Sequence, residues 1–409
     1  MRNRICASLA LALAAAAAAP AWADGPPIKL GVLEDQSGDF ALATIGKVHG
    51  IQLATDEINA KGGIAGRKLE LVIYDTQSDN TRYQEFMRRV LQRDKADVVF
   101  AGFSSASREA YRPIVDQLDG FVWYNNQYEG GVCDAHMIVT GAVPEQQFST
   151  LIPWMMKRFG KRVYTIAADY NFGQISAEWV RNIVKEQGGE MVGEEFVPLG
   201  VSQFSQTIQN IQKAKPDILM TLLVGTAQAS YYEQAAAAGV HIPMGSSVNV
   251  GQGYEHKRFK PPSLANMYVT VNYIEEIDTP ASKDFVARWH AKFPSEPYIN
   301  QEAENSYDAV YLYKSMVERA GGSTKRLDLL KEVAMGDVCV MGPEGKVCID
   351  PKSQHASHTI YLAKVAEDHS ISFPETFPDI QPYWLGQAGC DLTKHNPNAQ
   401  YTPSNPPPK

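Results

Sequence analysis

Several segments of this 409-residue sequence place hydroxyl, amide and aromatic side chains at or directly after apolar runs that have the pattern of strands. Such a mixture suits the binding of a small polar molecule, because small-molecule pockets combine an apolar wall with a few placed hydrogen-bonding groups. Each segment could equally form an ordinary turn or helix start. The segments are GFSSASRE (102–109), VWYNNQYEGG (122–131), AADYNFGQ (167–174), LLVGTAQ (222–228) and GSSVNVGQGY (245–254).

The serine pair in the first segment begins a helix that we predict over 104–118. Ser104 or Ser105 can cap this helix, and the free backbone N–H groups of a helix start can donate to an anion or an acceptor atom of a ligand. The alternative is a plain helix cap without a ligand. In the second segment a predicted strand, 121–124, runs directly into Tyr124 and Asn126. This favours a pocket wall, and a turn with partly buried rings is the alternative.

The three later segments each contribute one candidate ligand contact. Tyr170 follows a predicted strand, 162–168, and either reaches into a cleft or packs over the next helix start. Thr226 offers a hydroxyl beside a glycine that lets the backbone approach a ligand closely. Asn249 lies with Ser246 and Ser247 in a polar loop that could line the same cleft or form an ordinary turn.

The motifs of common enzymes are missing from the sequence, which contains no G-x-S-x-G elbow, no H-E-x-x-H pair and no phosphate-binding glycine loop. We therefore predict a protein that is not an enzyme and uses no cofactor. The nine histidines are scattered, and the closest pair, His355 and His358, is expected at the surface. Glu302 and Glu304 are expected on a solvated helix face rather than in an acid–base pair.

The first residues have the features of a secretory signal peptide: a charged start, an apolar core over 7–19 and an A-x-A cleavage site at 21–23. Cleavage after Ala23 would release the mature chain into the periplasm. A membrane anchor is the alternative, but this core is shorter than the roughly 20 residues that a span needs. No later stretch is long and apolar enough to cross a membrane. The formal net charge of −8 argues against a nucleic-acid partner.

The four cysteines that follow this segment indicate disulfides rather than a metal site. Cys133 and His136 are the only closely spaced Cys/His pair of the sequence, and no second pair completes a ligand set. Cys339 and Cys348 flank a turn signal, PEG, and could lie within bonding distance across a hairpin. The remaining pair, Cys133 with Cys390, would tie the C-terminal tail to the body of the protein. Free buried thiols are the alternative.

The elements that position these residues alternate between strand and helix. Residues 29–33 and 69–73 have strand patterns, and apolar residues between them recur at helical spacing up to a double glycine, 62–63. Ligands bind such strand–helix–strand units at the carboxyl ends of the strands. The alternation continues in two runs, separated by breaks near 140–144 and 271–279. This pattern predicts an α/β fold with two parallel sheets.

The stretch ATDEINAKGGIAGRKLELVIYD (54–75) resembles the first-unit signature of the type I periplasmic-binding-protein superfamily, the group of the leucine/isoleucine/valine-binding proteins. The resemblance implies two Rossmann-like lobes with parallel central sheets, joined by a hinge of several strands. The expected division is a signal peptide over 1–23, lobe 1 over 24–142 plus about 274–340, lobe 2 over 143–273 plus about 341–385, and a C-terminal tail over 386–409. The end of this tail, PSNPPPK, is expected to be loose.

Further motifs are similar to one branch of that superfamily: WYNNQYEGG, ADY at 168–170, VGT at 224–226 and IDTPAS at 277–282. This branch holds the amide-sensing regulator of the aliphatic amidase system and the urea-binding component of ABC importers. The match extends to about Asp350. The resemblance implies a ligand pocket with contacts from both lobes, namely Phe103, Ser105, Tyr124, Asn126, Tyr170 and Thr226, with Phe103 in the place of an aromatic residue of the branch.

The sequence departs from the superfamily patterns at two places. Asn125 and Asn126 stand where the branch usually carries proline or threonine, which changes the size and polarity of the pocket. The amino-acid binders hold the ligand's ammonium with a carboxylate in the second lobe, and the segment GSSVNVG contains none. A cation without a partner in a closed cleft is costly. Glu34, Asp35 or Glu129 are the alternatives for that role.

The sequence and the resemblance together predict a periplasmic solute-binding protein of an ABC importer. We expect it to capture a small polar ligand, such as an amide, urea or an amino-acid-like compound, by closure of the hinge, because contacts to both lobes favour the closed state. The closed form would then bind the membrane permease of the importer. The alternative is a periplasmic ligand sensor that regulates a partner protein without transport.

Overall fold

The computed structural model describes residues 25–408 of the chain. The predicted signal peptide, with its cleavage after Ala23, lies outside these residues. The strands are β1 (Ile28–Glu34), β2 (Leu69–Asp75), β3 (Val98–Ala101), β4 (Val122–Tyr124), β5 (Val132–Cys133), β6 (Met137–Val139), β7 (Arg162–Ala168), β8 (Glu190–Val197), β9 (Ile218–Leu222), β10 (Met244–Ser246), β11 (Met267–Val271), β12 (Cys339–Gly342), β13 (Gly345–Cys348), β14 (His358–Val365), β15 (Ile371–Ile380) and β16 (Ala399–Gln400). The helices are α1 (Ala41–Ala60), α2 (Asn80–Gln92), α3 (Ser105–Gln117), α4 (Pro144–Phe159), α5 (Asn171–Glu186), α6 (Ser205–Ala214), α7 (Thr226–Ala237), α8 (Glu255–Arg258), α9 (Pro280–Lys292), α10 (Gln301–Arg319), α11 (Arg326–Ala334) and α12 (Tyr383–Ala388).

The first sheet has the strand order β2-β1-β3-β4-β6, and all its strand pairs are parallel. Strand β3 is buried along its whole length, as expected for a central strand covered on both faces. Helix α1 packs against β1, β2 and the late helix α10. We call this sheet and the helices packed with it the first lobe. It therefore combines the start of the chain with a segment from its last third.

The second sheet has the order β15-β14-β11-β10-β9-β7-β8. Strands β7 to β11 pair in parallel, whereas β14 and β15 are antiparallel. We call this sheet, with α4 and α5 packed on it, the second lobe. The predicted α/β fold with mostly parallel central sheets is confirmed. The pair β14–β15 was not predicted, because β15 contains Pro374 and Pro378; proline is tolerated there since β15 is the edge strand.

The chain passes between the lobes at three places. It leaves the first sheet after β6 to begin α4, leaves the second sheet after β11 to begin α9, and returns between β13 and β14. The first and third crossings touch each other, because Val139 forms a parallel bridge with His355. Two of the crossings coincide with the breaks at 140–144 and 271–279. The residue boundaries of the two lobes and of the tail stay a prediction.

Both predicted disulfide pairs are present. Cys339 and Cys348 lie directly opposite each other in the β12–β13 hairpin, with a Cα–Cα distance of 4.1 Å. Cys133 and Cys390 are bonded with a Cα–Cα distance of 6.0 Å. Helix α4 was not predicted at all; Pro153 in its interior obscures the helical pattern.

The predicted loose end of the chain is wrong. Strand β16 of the tail pairs with β5, which carries Cys133 of the disulfide. Farther along, the backbone N–H of Ser404 donates to the carboxylate of Glu178 on α5, and Pro407 is buried. The proline-rich composition was typical of a frayed terminus, but long-range pairing with β5 and α5 holds the tail on the body of the protein.

Two further surface predictions are wrong. Glu302 and Glu304 are fully buried, and His355 and His358 are buried as well. Residues 301–310 of α10 are buried on every side, so the polar pattern of this stretch does not mark a solvated face. Between residues 25 and 408 the structure contains no helix that is both long enough and apolar enough to span a bilayer.

The packing of α1 on α10 leaves no room for a side chain at Gly50. A Cβ at this position would lie 2.2 Å from the backbone oxygen of Ala303. We expect Gly50→Ala to lower the free energy of unfolding by about 1–3 kcal/mol, because the two helices must move apart. Gly386→Ala in α12 is the control, since its Cβ would meet nothing closer than 3.9 Å. Urea unfolding of both variants measures the difference; equal stability would contradict the close packing.

Buried His355 predicts a specific loss of stability in acid. Its Nδ1 donates to the oxygen of Ser353 at 2.7 Å and its Nε2 accepts from Tyr128 at 2.5 Å, so the ring is held neutral. Burial lowers the pKa of His355 to about 4, and Arg108 acts in the same direction. The hydrogen bond to Ser353 and the charge of Asp350 oppose this shift more weakly. The neutral ring therefore stabilises the fold above pH 6.5, and this contribution is lost as the pH falls towards 4.

We expect this loss to be on the order of 3 kcal/mol over that pH range. His355→Gln cannot titrate but can make both hydrogen bonds, so its free energy of unfolding should fall less between pH 6.5 and 4. Denaturant titrations of wild type and variant across these pH values measure the effect. Parallel pH profiles of the two proteins would contradict it.

Candidate functional site

A small cavity of about 10 Å³ lies where loops of the two lobes meet. The first lobe contributes segments after β3 and β4, and the second lobe contributes segments after β7, β9 and β10. These are carboxyl ends of strands, the edge at which parallel sheets bind ligands. We call this space the inner cavity. It is lined by Phe103, Ser105, Asn126, Gln127, Tyr170, Phe172, Val224 and Gln252.

A larger pocket of about 240 Å³ adjoins the inner cavity and shares Phe103, Val224 and Gln252 with it. We call it the outer pocket. Phe40, at the start of α1, lies over Phe103 with a centroid distance of 5.1 Å and forms part of its wall. The outer pocket also carries the charged side chain of Arg258 and the hydroxyl-bearing Thr226. The inner cavity therefore has an adjoining space through which a solute can extend or leave.

The floor under Ser105 is a buried ion pair. Arg108 on α3 contacts the Glu129 carboxylate at 2.8 Å, and both side chains are fully buried. The hydroxyl of Ser105 donates to the same carboxylate. Gln400 of the tail completes the group, since its Nε2 donates to Glu129 at 2.7 Å and its Oε1 accepts from Arg108 at 3.1 Å. Ser105 is thus held by Glu129, and its position depends on the C-terminal tail.

Two side chains fix the backbone at Phe103. The Tyr124 hydroxyl donates to the Phe103 oxygen at 2.6 Å, and the Asn126 amide donates to the same oxygen at 2.9 Å. Tyr124 is fully buried below the cavity and is not part of its lining. Asn126, in contrast, is part of the lining. Its Oδ1 is buried and accepts no hydrogen bond from residues 25–408, and the same holds for Oε1 of Gln127.

The lining of the inner cavity carries no ionised side chain among the described residues. Its only titratable group is the phenol of Tyr170, and burial holds the pKa of this phenol well above its usual value, so it stays neutral. Two residues of this uncharged lining, Asn126 and Gln127, therefore carry unpaired carboxamide oxygens beside aromatic walls. Such a space favours a small neutral molecule with N–H donors, because an unpaired buried acceptor is costly and a buried unpaired charge more so.

The three carboxylates predicted as alternative partners for a ligand's ammonium, those of Glu34, Asp35 and Glu129, each have other partners in the structure. Glu34 forms a fully buried ion pair with Lys47 at 2.7 Å. Asp35 accepts from Thr76 at 2.5 Å and from a backbone N–H at 2.8 Å. Glu129 is paired with Arg108, as described above. A fourth carboxylate, that of Glu302, accepts from Gln252 of the lining at 3.1 Å, and burial raises its pKa to about 8.

The structure brings together only part of the predicted site. Phe103, Ser105, Asn126 and Tyr170 line the inner cavity. Thr226 lies apart from them, in the wall of the outer pocket.

The other predicted residues lie outside both spaces. Ser104 caps α3 by accepting from the N–H of Ser107 at 3.0 Å. Asn249 is buried and accepts from Tyr232 at 2.7 Å and from Ser246 at 2.8 Å. These two residues and Tyr124 bond to other residues of the protein. They fit the alternative interpretation of these segments, which was an ordinary turn or helix cap without a ligand.

The prediction missed four lining residues: Gln127, Phe172, Val224 and Gln252. All four lie within the five segments that were singled out by their composition. Gln127, Phe172 and Gln252 follow a predicted contact by one to three positions, and Val224 precedes one by two. The signal for the right loops was therefore present. Which side chain of a loop points inwards depends on backbone turns that composition does not fix.

Comparison with known proteins places the chain in one group. A family model described as periplasmic binding protein matches residues 27–370. The "Leu/Ile/Val-binding protein homolog 6" of Brucella suis biovar 1 is 24% identical over 361 residues, which cover 85% of this chain and 89% of that protein. The "homolog 7" of the same organism is also 24% identical, over 73% of this chain and 78% of that protein.

Solved structures show the same fold. A solute-binding protein of an ABC transporter from Rhodopseudomonas palustris, in complex with 4-hydroxybenzoate, has a TM-score of 0.77 at 21% identity, covering 88% of this chain and 98% of that one. A branched-chain amino acid transporter substrate-binding protein from Streptococcus pneumoniae, in complex with isoleucine, has a TM-score of 0.73 at 19% identity, covering 86% and 98%. These similarities support the predicted superfamily; the urea and amide branch stays a prediction.

The ion pair under the inner cavity should dominate local stability. We expect Glu129→Gln to lower the free energy of unfolding by about 1–3 kcal/mol, because buried Arg108 loses one of its two carboxylate partners and keeps only Glu109, at 2.8 Å. The matched control is Glu190→Gln, which breaks the exposed pair with Arg162 and should change stability by less than about 1 kcal/mol. Guanidinium unfolding measures both. A loss no larger than that of the control would contradict the assigned role of the pair.

Proposed function

The chain belongs to the periplasmic binding protein family, and on that premise we propose that it is the solute-binding component of an ABC importer whose solute is a small uncharged molecule with N–H donors, such as a short amide or urea. The observation that carries this proposal is the lining of the inner cavity, which joins aromatic walls to two unpaired carboxamide oxygens. Each N–H of a bound amide would supply a partner that these oxygens lack.

Closure of the two lobes over the solute is the proposed mechanism. The inner cavity has room for about one water molecule, so a larger solute needs the lobes to stand farther apart than in this structure, both to enter and to be held. Once inside, it touches Asn126 and Gln127 of the first lobe and Tyr170 of the second. A solute that contacts both lobes stabilises the closed state relative to the open state, which is all that a population shift requires.

Transport is proposed over sensing because of the named relatives. The Brucella proteins are described as Leu/Ile/Val-binding protein homologs, and the Rhodopseudomonas protein is described as a solute-binding protein of an ABC transporter. A permease of such an importer is therefore the proposed partner of the closed form. The periplasmic location follows from the family and agrees with the predicted signal peptide.

The solutes of the structural neighbours are less suited to this cavity. 4-Hydroxybenzoate and isoleucine each carry a carboxylate, and isoleucine also carries an ammonium group. Arg108 and Lys47 are already paired, as are the three carboxylates considered for an ammonium. An amino-acid-like solute is thus a weaker candidate than an amide. Arg258, in the outer pocket, is the cation that a carboxylate could reach.

Calorimetric titration of the mature protein with acetamide, propionamide, urea, leucine and 4-hydroxybenzoate tests the solute class. We expect binding of at least one amide or urea, and an affinity roughly tenfold or more lower in Asn126→Ala, because one hydrogen bond and its buried partner are lost. Gln187→Ala is the matched control: it deletes an exposed carboxamide at the far end of α5 and should leave the affinity unchanged.

Other results would redirect or reject the proposal. Binding of 4-hydroxybenzoate that is lost in Arg258→Ala would reject the neutral solute and assign the outer pocket to a carboxylate. Binding of an amide that Asn126→Ala does not weaken would place the solute outside the inner cavity. Neither result would affect membership of the family, which rests on the match over residues 27–370.

A further inference from the structure

Three buried carboxylates converge where α10 meets the β12–β13 hairpin. Glu304 and Asp308 lie one turn apart on α10, so their side chains share one face of the helix. Glu344 comes from the turn of the hairpin. One oxygen of each carboxylate lies within 4.8 Å of an oxygen of the other two, and all three residues are buried. We call these residues the carboxylate cluster.

The described protein groups do not neutralise this cluster. One cationic candidate touches it, His358, whose Nδ1 lies 2.7 Å from Oε1 of Glu344. The backbone N–H of Glu344 donates to Glu304 at 3.2 Å. Within residues 25–408, Oδ2 of Asp308 and Oε2 of Glu344 have no hydrogen-bond partner. Carboxylates this close together repel one another strongly in a buried environment, so a positive charge at their centre would relieve a large unfavourable interaction.

An independent side chain also points to an occupant of the cluster. Asn272, directly after β11, is fully buried. Its Nδ2 donates to Asn305 at 2.9 Å and contacts Oε2 of Glu304 at 3.3 Å, which places the carboxamide beside the cluster. Coordination of an ion by Oδ1 therefore requires the carboxamide to turn over. This Oδ1 has no partner among the described residues. A buried amide oxygen without a donor is rare in proteins and is a suitable ligand for a metal ion.

The position of Asp308 is closely fixed and lies next to solvent. A Cβ on Gly342 would lie 1.8 Å from Oδ2 of Asp308, so the hairpin backbone packs directly on this carboxylate. Asp308 also lines a surface pocket of about 690 Å³, together with the charged residues Glu57, Lys61, Asp284 and Arg288. Asp308 therefore lies between the buried cluster and this surface pocket.

We propose that Glu304, Asp308 and Glu344, together with the carboxamide oxygen of Asn272, bind a divalent cation with a preference for oxygen ligands, calcium being the best match. The proposed ligands are all oxygen atoms, three of them from carboxylates, which is the ligand set of calcium and magnesium rather than of zinc or copper. Bound waters would complete the coordination. His358 holds Glu344 in place from outside, in the manner of an outer-shell histidine–carboxylate pair.

No sequence motif indicates this site, because its residues lie in segments that are far apart along the chain. They come from α10, from the end of β11 and from a hairpin turn. Two of these places adjoin the crossings between the lobes, at 272 and at 349–357. The site is separate from the inner cavity and does not depend on the proposed solute, so it can be tested without any solute.

The test uses the mature chain after treatment with a chelator and dialysis. We expect calorimetry with CaCl₂ to show one calcium ion bound per chain, and saturating calcium to raise the unfolding midpoint by roughly 3–5 °C. Asp308→Asn and Glu344→Gln should each weaken calcium binding at least about tenfold and abolish this rise. Without calcium, these variants should unfold at the wild-type temperature or above it, because each replaces one of three crowded buried carboxyl groups with a neutral carboxamide.

Asp284→Asn is the matched control, since Asp284 lies in the same surface pocket outside the carboxylate cluster and is largely exposed. It should keep the full response to calcium. The proposal is overturned if the wild type binds neither calcium nor magnesium, if zinc or manganese binds while calcium does not, or if Asp308→Asn keeps the wild-type response. A response lost only in Asp284→Asn would equally overturn it, because the ion would then bind in the surface pocket.

Discussion

The pairing of buried polar groups near the edge at which the two lobes meet is the constraint on which this structure depends. The two parallel sheets bring the carboxyl ends of their strands together, and charged side chains are enclosed there. A buried charge without a partner is unfavourable by several kcal/mol. Glu34 is therefore paired with Lys47, and Glu129 with Arg108. Even the C-terminal tail takes part, because Gln400 bonds both members of the second pair.

Some buried oxygens near this edge have no hydrogen-bond partner among the described residues. Asn126 and Gln127 keep unpaired oxygens at the inner cavity, and Asp308, Glu344 and Asn272 keep unpaired oxygens at the carboxylate cluster. Other buried side chains of the same types also lack a partner among the described residues, such as the carboxamide oxygens of Gln301 and Gln354. The two proposals therefore rest on places where several such residues adjoin. A neutral N–H donor would supply the missing partner at the inner cavity, and a cation would supply it at the carboxylate cluster.

Local pattern was sufficient to predict most of the fold. The strand–helix–strand start, the two sheets and the disulfide across the hairpin follow from periodicity, glycine turns and cysteine spacing. The edge pair β14–β15 and helix α4 contain prolines and were not predicted.

Burial was the harder property to predict. The first half of α10 is rich in polar residues, and only contacts with distant segments enclose it. The direction of side chains in the site was equally hard to predict. The loops were recognisable from their composition. Ser104, Tyr124 and Asn249, however, bond to structural partners that lie far away in sequence or inside their own turns.

Helix α10 connects the two sites, and this follows from its geometry. Glu302 in its first turn accepts from Gln252, which lines the inner cavity. Glu304 and Asp308 follow within two turns and form the carboxylate cluster. Because an α-helix rises only about 1.5 Å per residue, the two sites lie within roughly 10 Å of each other along one rigid element. Helix α10 also packs along α1, where the absence of a side chain at Gly50 permits close contact. Any interaction that fixes α10 against the hairpin therefore also fixes the support of Gln252, and with it one wall of the cavity in which the solute is held.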